Sequence, residues 1–300
     1  MYDIALRAAR HDPFLNLALE ESLLERGFGR DRAILVYVND PCVVVGRNQN
    51  PWAEVAPRSD LPVLRRVSGG GTVYHDRGNL NWSIIVPRND HDRDAEIGLV
   101  ARALRKLGVE TESGPRGGLF VAGGGRWKGA KLSGTARRFS ASRVLHHGTL
   151  LVDADLARLA SVLGGLEEES SHALPSVRST SVNLASMVPG LGVDEAALAI
   201  AGEFSGGDAQ TAEPFADRAY ADAAARRLAS WEWTWGSTPA FSLGLQWSGG
   251  RTRIDVRGGI VATVRGPGAD RISGLEGRRF GYGMPAAAIE ALEGRGASLA

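Results

Sequence analysis

Between residues 65 and 81 the sequence reads Arg-Arg-Val-Ser-Gly-Gly-Gly-Thr-Val-Tyr-His-Asp-Arg-Gly-Asn-Leu-Asn, and no other segment constrains the chain as tightly. Leu61 to Val67 is an apolar run that predicts a strand entering the glycines, and Asn81 to Val86 predicts a second strand leaving them. A glycine loop pinned between strands holds its backbone donors still. Without side chains in the way, those N–H groups can approach a phosphate or carboxylate, while Arg65 and Arg66 add charge and planar donors. The segment therefore points to anion chemistry.

Elsewhere helical and strand patterns alternate irregularly, which predicts an α+β fold built on a mixed sheet. Asp12-Pro13 opens an apolar-faced stretch that closes at Gly27, giving a helix with an acidic N-cap and a first-turn proline. Ala33 to Val38 and Cys42 to Val45 read as strands joined by a hairpin turn at Asn39-Asp40-Pro41. Ile97, Val100, Leu104 and Leu107 recur at helical spacing. Further strands are expected over 119–121, 129–136 and 144–152, and helices over 155–163, 215–229 and 285–292. The small, polar segment 205–214 reads as a surface connection. Three hundred residues accommodate a large and a small domain, and the boundary is placed near 230: residues 1–230, then 231–300.

Charge excludes one class of partner. With 35 basic and 34 acidic residues the formal charge is +1, so no general polyanion-binding surface exists and nucleic acid is not the partner. Any positive patch is local. Only Lys106, Lys128 and Lys131 among the basic residues are lysines, and Lys131 lies in a strand pattern between Ala130 and Leu132-Ser133-Gly134. Cys42 is the single cysteine, which rules out an internal disulfide and a cysteine-rich zinc site. No apolar run reaches the roughly 20 residues of a membrane span, and the N-terminus lacks a basic-then-apolar secretion pattern. A cytoplasmic protein is expected.

Four ordered motifs then carry a resemblance. Arg65 to Asn81 is similar to the Arg-Arg-x-Ser-Gly-Gly-Gly-x-Val-x-His-Asp-x-Gly-Asn signature of lipoate-protein ligase A. Gly46-Arg47-Asn48-Gln49-Asn50-Pro51-Trp52 matches upstream, and Lys131-Leu132-Ser133-Gly134-Thr135-Ala136 and His146-His147-Gly148-Thr149-Leu150-Leu151 match downstream. From Trp231 to Phe241 the chain resembles the opening of the small accessory domain of the longer ligases, so nearly the whole length is covered.

The resemblance implies a lipoate/biotin ligase-like catalytic domain with a smaller α+β accessory domain. Its activity would be a two-step acyl activation: lipoate and ATP with Mg²⁺ give lipoyl-AMP, and the lipoyl group then passes to a lysine of an acceptor. That acceptor would be a lipoyl domain, of a 2-oxoacid dehydrogenase E2 subunit or of the glycine cleavage H protein. By position, Lys131 is the catalytic ammonium. Arg66, Gly71, Thr72, Val73, Tyr74 and Lys131 would contact ATP. Arg66, Ser68, Gly69, Gly70, His75, Lys131 and His147 would contact lipoate or the adenylate, and Asp76 would orient the loop. His146 should face away from His147, because successive strand side chains alternate. An apolar tunnel with charge at its mouth suits lipoate; Val44, Val45 and the strand near Trp82 are its expected lining or, equally, core.

The match breaks at one place. The family pattern Arg-Asn-Asp-Leu appears here as Arg116-Gly117-Gly118-Leu119, so an amide and a carboxylate are missing together and the metal ligands stay open. Either another acid such as Asp76 holds magnesium through water, or the site has drifted to another acyl substrate or a slow reaction. A second class, the octanoyl or lipoyl transferases, shares the fold but works through a cysteine thioester. Cys42 precedes Gly46-Arg47 in an apolar strand, where packing is its expected role.

Overall fold

In the computed structural model, residues 3–29, 32–114 and 116–295 are described. A six-stranded mixed sheet organises them, in the spatial order Thr135–Phe139, Arg143–Leu151, Asn79–Pro87, Arg32–Val38, Asp3–Arg7, Gln210–Thr211. Asp3–Arg7 runs parallel to both of its neighbours and the other pairs are antiparallel. Alternation along one strand decides the layers. Ala33, Leu35 and Tyr37 pack with the helices Pro13–Arg26 and Arg218–Leu228, whereas Ile34, Val36 and Val38 pack with Arg93–Lys106 and Val193–Ser205 on the opposite face. A strand covered on both faces loses the apolar-polar alternation, which is why this segment is an unbroken apolar run.

Local signals set the element ends. Asp12 accepts from the backbone N–H groups of Phe14 and Leu15, and Pro13 occupies the first turn. The helix stops at Gly27, whose φ of 76° only glycine adopts freely. Asp92, Asp155 and Asp217 cap three later helices in the same way.

Two expectations are corrected. Asn39-Asp40-Pro41 is not a hairpin turn: Arg32–Val38 belongs to the large sheet, while Cys42–Val45 pairs with Val63–Arg65 and Val73–His75 in a separate three-stranded sheet. The chain crosses because Asn39 is held from two sides, accepting from Asn16 Nδ2 at 2.8 Å and meeting His75 Nδ1 at 3.0 Å. Likewise 129–136 is not one strand. It divides at Gly134 into Lys131–Ser133, in a second three-stranded sheet, and Thr135–Phe139, on the edge of the large one.

A four-stranded antiparallel sheet contains Phe241–Trp247, Gly250–Arg257 and Ile260–Arg265, with Ser170–Ser171 as its first strand. Its core includes Ile254, Val256 and Phe280, together with Trp52 from far upstream, whose ring stands 4.9 Å from Trp235 and 5.1 Å from Phe280. Arg65 makes a second tie. Fully buried, it donates to the carbonyls of Trp233 and Thr234, to Thr238 Oγ1, and to the carbonyls of Gly46, Arg47 and Gln49. A buried guanidinium is tolerable only when its donors are satisfied in this way.

Candidate active site

The glycine loop borders a cavity of about 840 Å³ between the large sheet and the two small ones. Of the residues singled out by the sequence, Arg66, Gly69, Gly70, Gly71, Thr72, Val73, His75, Lys131 and His147 line it together. Ser68 stands behind that wall, bonded to His147. Tyr74 does not reach it: strand alternation turns its ring into the cluster of Val43, Val45, Val55 and Val162. Val44 lines the cavity, but Val45 lies in that same cluster and Trp82 is fully buried in the main core. Cys42 is buried packing, and burial together with nearby Asp40 pushes its thiol far above the usual range.

The two adjacent arginines divide their work. The strand places their side chains on opposite sides, so Arg65 faces the C-terminal segment and not the anion loop. Arg66 faces inward. Its Nε meets Ser68 Oγ at 3.0 Å, its Nη1 donates to Val44 O at 3.1 Å, and its Nη2 donates to Gly69 O at 2.6 Å and Gly71 O at 2.8 Å. Burial lowers its pKa to about 10, so it stays charged at neutral pH and clamps the loop from beneath. Glycine is demanded here on geometric grounds. Gly70 has φ +85°, and a Cβ on Gly46 would lie 2.0 Å from Gly70 O. Among the described residues no acceptor takes the N–H groups of Gly69, Gly70 or Gly71, which are the donors an incoming anion would need.

On the inner wall a buried relay runs from Arg66 to Ser68, His147 and Glu20. Ser68 Oγ is 2.6 Å from His147 Nε2, and His147 Nδ1 is 2.8 Å from Glu20 Oε1. A carboxylate only accepts, so Nδ1 carries the proton and Nε2 receives the serine hydroxyl. Burial alone would raise the Glu20 pKa, yet His147, Ser83 and Tyr37 together hold it below the ordinary value. His75 behaves differently. Burial, then Arg66 and His147, push its pKa down to about 3, so it is neutral and its Nδ1 accepts from Asn39. His146 points to the other face, as alternation requires, with Nδ1 2.6 Å from Glu96 Oε2. Asp76 is spent on the loop, accepting from the N–H groups of Gly78 and Asp155.

Lys131 sits at the start of its short strand, half-buried and across the cavity from the glycines. Two glycines make room for its stem: a Cβ on Gly134 would lie 3.2 Å from Nζ, and one on Gly118 3.4 Å from Cε. Burial and then Arg116 lower its pKa, and among the described residues no carboxylate pairs with it.

Several lining or supporting groups escaped sequence reading. Glu20 could have been found, since it lies on the buried face of its helix beside Leu17 and Leu24. Ser176 left no such signal. It accepts from Thr72 N at 2.9 Å and Gln49 Nε2 at 3.0 Å, and it bonds Glu54, closing the segment Leu174 to Val177 over the glycine loop. Arg93 and Arg137 line the mouth and belonged to no motif.

The catalytic-domain model of the lipoyl protein ligase A/B family matches residues 12–205. The chain belongs to that family. Solved structures agree in fold. P. falciparum LipL1 in complex with lipoate superposes with a TM-score of 0.67 at 19% identity, covering 93% of this chain and 91% of that one. A putative lipoate protein ligase from T. acidophilum with bound lipoic acid gives 0.61 at 23% identity, over 78% and 99%. Lipoate-protein ligase A bound with ATP gives 0.59 at 25% identity, over 76% and 94%. The α+β, mixed-sheet architecture is thus that of the lipoate-protein ligases. Among the described residues no helix is long and apolar enough to cross a membrane.

Proposed function

We propose that this protein activates lipoate with ATP and transfers the lipoyl group to a lysine of an acceptor lipoyl domain. One observation carries the reading: the backbone donors at Gly69 to Gly71 and the ammonium of Lys131, unpaired among the described residues, line one cavity whose other walls include Leu17, Val44, Val73 and Phe120. The relatives support it, since one is bound to lipoate, one to ATP, and another, from T. acidophilum, forms a lipoylation system with its E2 lipoyl domain. By that likeness the acceptor is an E2 lipoyl domain; the glycine cleavage H protein is the alternative that the sequence resemblance implies. Residues 1–230 would form the catalytic domain and 231–300 the accessory one.

In the first step a lipoate carboxylate oxygen forms a bond to the α-phosphorus as the bond to pyrophosphate breaks. Two unit negative charges about 4 Å apart repel by roughly 4 kcal/mol at an effective dielectric near 20. Lys131 offsets that repulsion with a compact charge able to touch both reactants, and the glycine N–H groups hold the phosphate oxygens. In the second step the acceptor amine attacks the acyl carbonyl, AMP leaves, and the amine loses its proton. The acyl chain would lie along the apolar wall, with Ser68 and His147 behind it.

A protein-held magnesium ion does not fit these residues. Magnesium bound alongside substrate phosphates uses one or two carboxylates, whereas no Asp or Glu lines this cavity among the described residues and Asp76 is committed to backbone donors. Incubation of the full chain with ATP, lipoate and an apo lipoyl domain, followed by intact-mass measurement, tests the function. An ATP-dependent lipoyl adduct is expected, and Cys42→Ser should keep it. Acyl transfer that ignores ATP and vanishes in Cys42→Ser would instead assign the transferase reaction.

A further inference from the structure

Lys131 has company at the cavity mouth. Arg93, Arg116 and Arg137 line the same space, so a chain of net charge +1 gathers several cations at one opening with no lining carboxylate among the described residues. Their present commitments are slight. Arg93 Nε meets Asp94 Oδ1 at 2.7 Å, but that carboxylate is 75% exposed, and exposed pairs are weak. Arg137 Nη1 reaches His91 Nε2 at 3.5 Å, and its guanidinium carbon lies 6.0 Å from the Phe139 ring centre, both weak contacts. Arg116 forms no side-chain bond among the described residues, and its charge acts on Lys131.

The backbone beside this cluster is closed to the side chains that would bring a metal. Gly117 has φ +84°, and a Cβ there would lie 3.0 Å from Thr135 Oγ1, 3.1 Å from Ile97 Cδ1 and 3.8 Å from Arg93 Cδ. A Cβ on Gly118 would fall 2.9 Å from the Ser133 carbonyl oxygen. An aspartate at 118 would press on a backbone carbonyl, one at 117 would need a left-handed backbone and a shift of the Thr135 and Ile97 side chains, and the space is bordered by Arg93 and Lys131 instead. Guanidinium forks match phosphate oxygens in pairs.

We propose that Arg93, Arg116 and Arg137, with Lys131, grip the phosphate chain of the nucleotide directly, and that the protein supplies no magnesium ligand of its own. Metal then enters only as the nucleotide's counter-ion. The inference rests on the ligase reading, but its test separates the two. A non-hydrolysable ATP analogue is titrated calorimetrically into the full chain, once in excess EDTA and once in excess Mg²⁺. The two dissociation constants should agree within about threefold, and Arg93→Gln combined with Arg137→Gln should weaken metal-free binding at least about tenfold, as loss of two charge-assisted contacts requires. Both side chains are at the surface, so an unchanged melting temperature shows that the variant is folded. Binding seen only with Mg²⁺, or metal-free binding undiminished in the double variant, overturns the inference and leaves the ligase reading standing. No binding of the analogue under either condition overturns both.

Discussion

Taking the protein from pH 7.5 to pH 5 should remove about 2 kcal/mol of stability through His75 alone. The magnitude follows from burial: the imidazole is 4% exposed, its Nδ1 accepts from Asn39, and its folded pKa is about 3 against 6.5 when unfolded. At pH 5 the unfolded chain binds a proton at this position and the folded protein does not, so stability rises with pH across the window from about 3 to 6.5. The unfolded group is 1.5 pH units below its pKa at pH 5, and at 1.36 kcal/mol per unit this amounts to about 2 kcal/mol. Urea unfolding of wild type and His75→Gln at pH 7.5, 6 and 5 isolates the contribution, because His146, whose pKa is also lowered by burial, acts equally in both proteins. The variant should lose about 2 kcal/mol less than wild type on acidification. Equal losses, or a His75 proton resonance that titrates near 6.5, would refute the reasoning.

Other expectations concern the reacting charge and the frame around it. Lys131→Arg should lose most adenylate formation and Lys131→Ala nearly all, read as pyrophosphate release; wild-type rates in either would remove Lys131 from the mechanism. On the proposed mechanism Lys131 acts as a cation, and Arg116 helps to lower its pKa, so activity should fall at high pH, and Arg116→Gln should move that falling limb to higher pH, measured as a pH-rate profile. Arg65→Met strips the bonds to Thr234, Gly46, Arg47 and Gln49 carbonyls inside the fold, and each buried acceptor left bare costs about 1–3 kcal/mol; urea unfolding should show a loss of at least about 3 kcal/mol. Gly46→Ala would set a Cβ 2.0 Å from Gly70 O, and the displaced glycine loop should weaken nucleotide binding in calorimetry more than it lowers the melting temperature.

What could be read from the chain alone was local chemistry and periodicity. The three glycines, the lone lysine of a strand pattern and the capped helix at Pro13 needed no neighbours to be recognised, because φ freedom, charge type and capping are properties of a few adjacent residues. Apart from the resemblance, which points to Arg66, nothing separated Arg65 from Arg66, since two identical side chains in sequence differ only in which side of a strand they leave. The hairpin expected at Asn39-Asp40-Pro41 failed for a related reason: turn residues specify a change of direction, but the sheet that the next strand joins is chosen by contacts such as that of Asn39 with His75. Ser68, His147 and Glu20 meet although 79 and 127 residues separate the bonded pairs. Residue order carries the identity of each donor and acceptor; only the packing of helix against sheet, driven by burial on both faces of Arg32–Val38, sets which of them come within hydrogen-bonding reach.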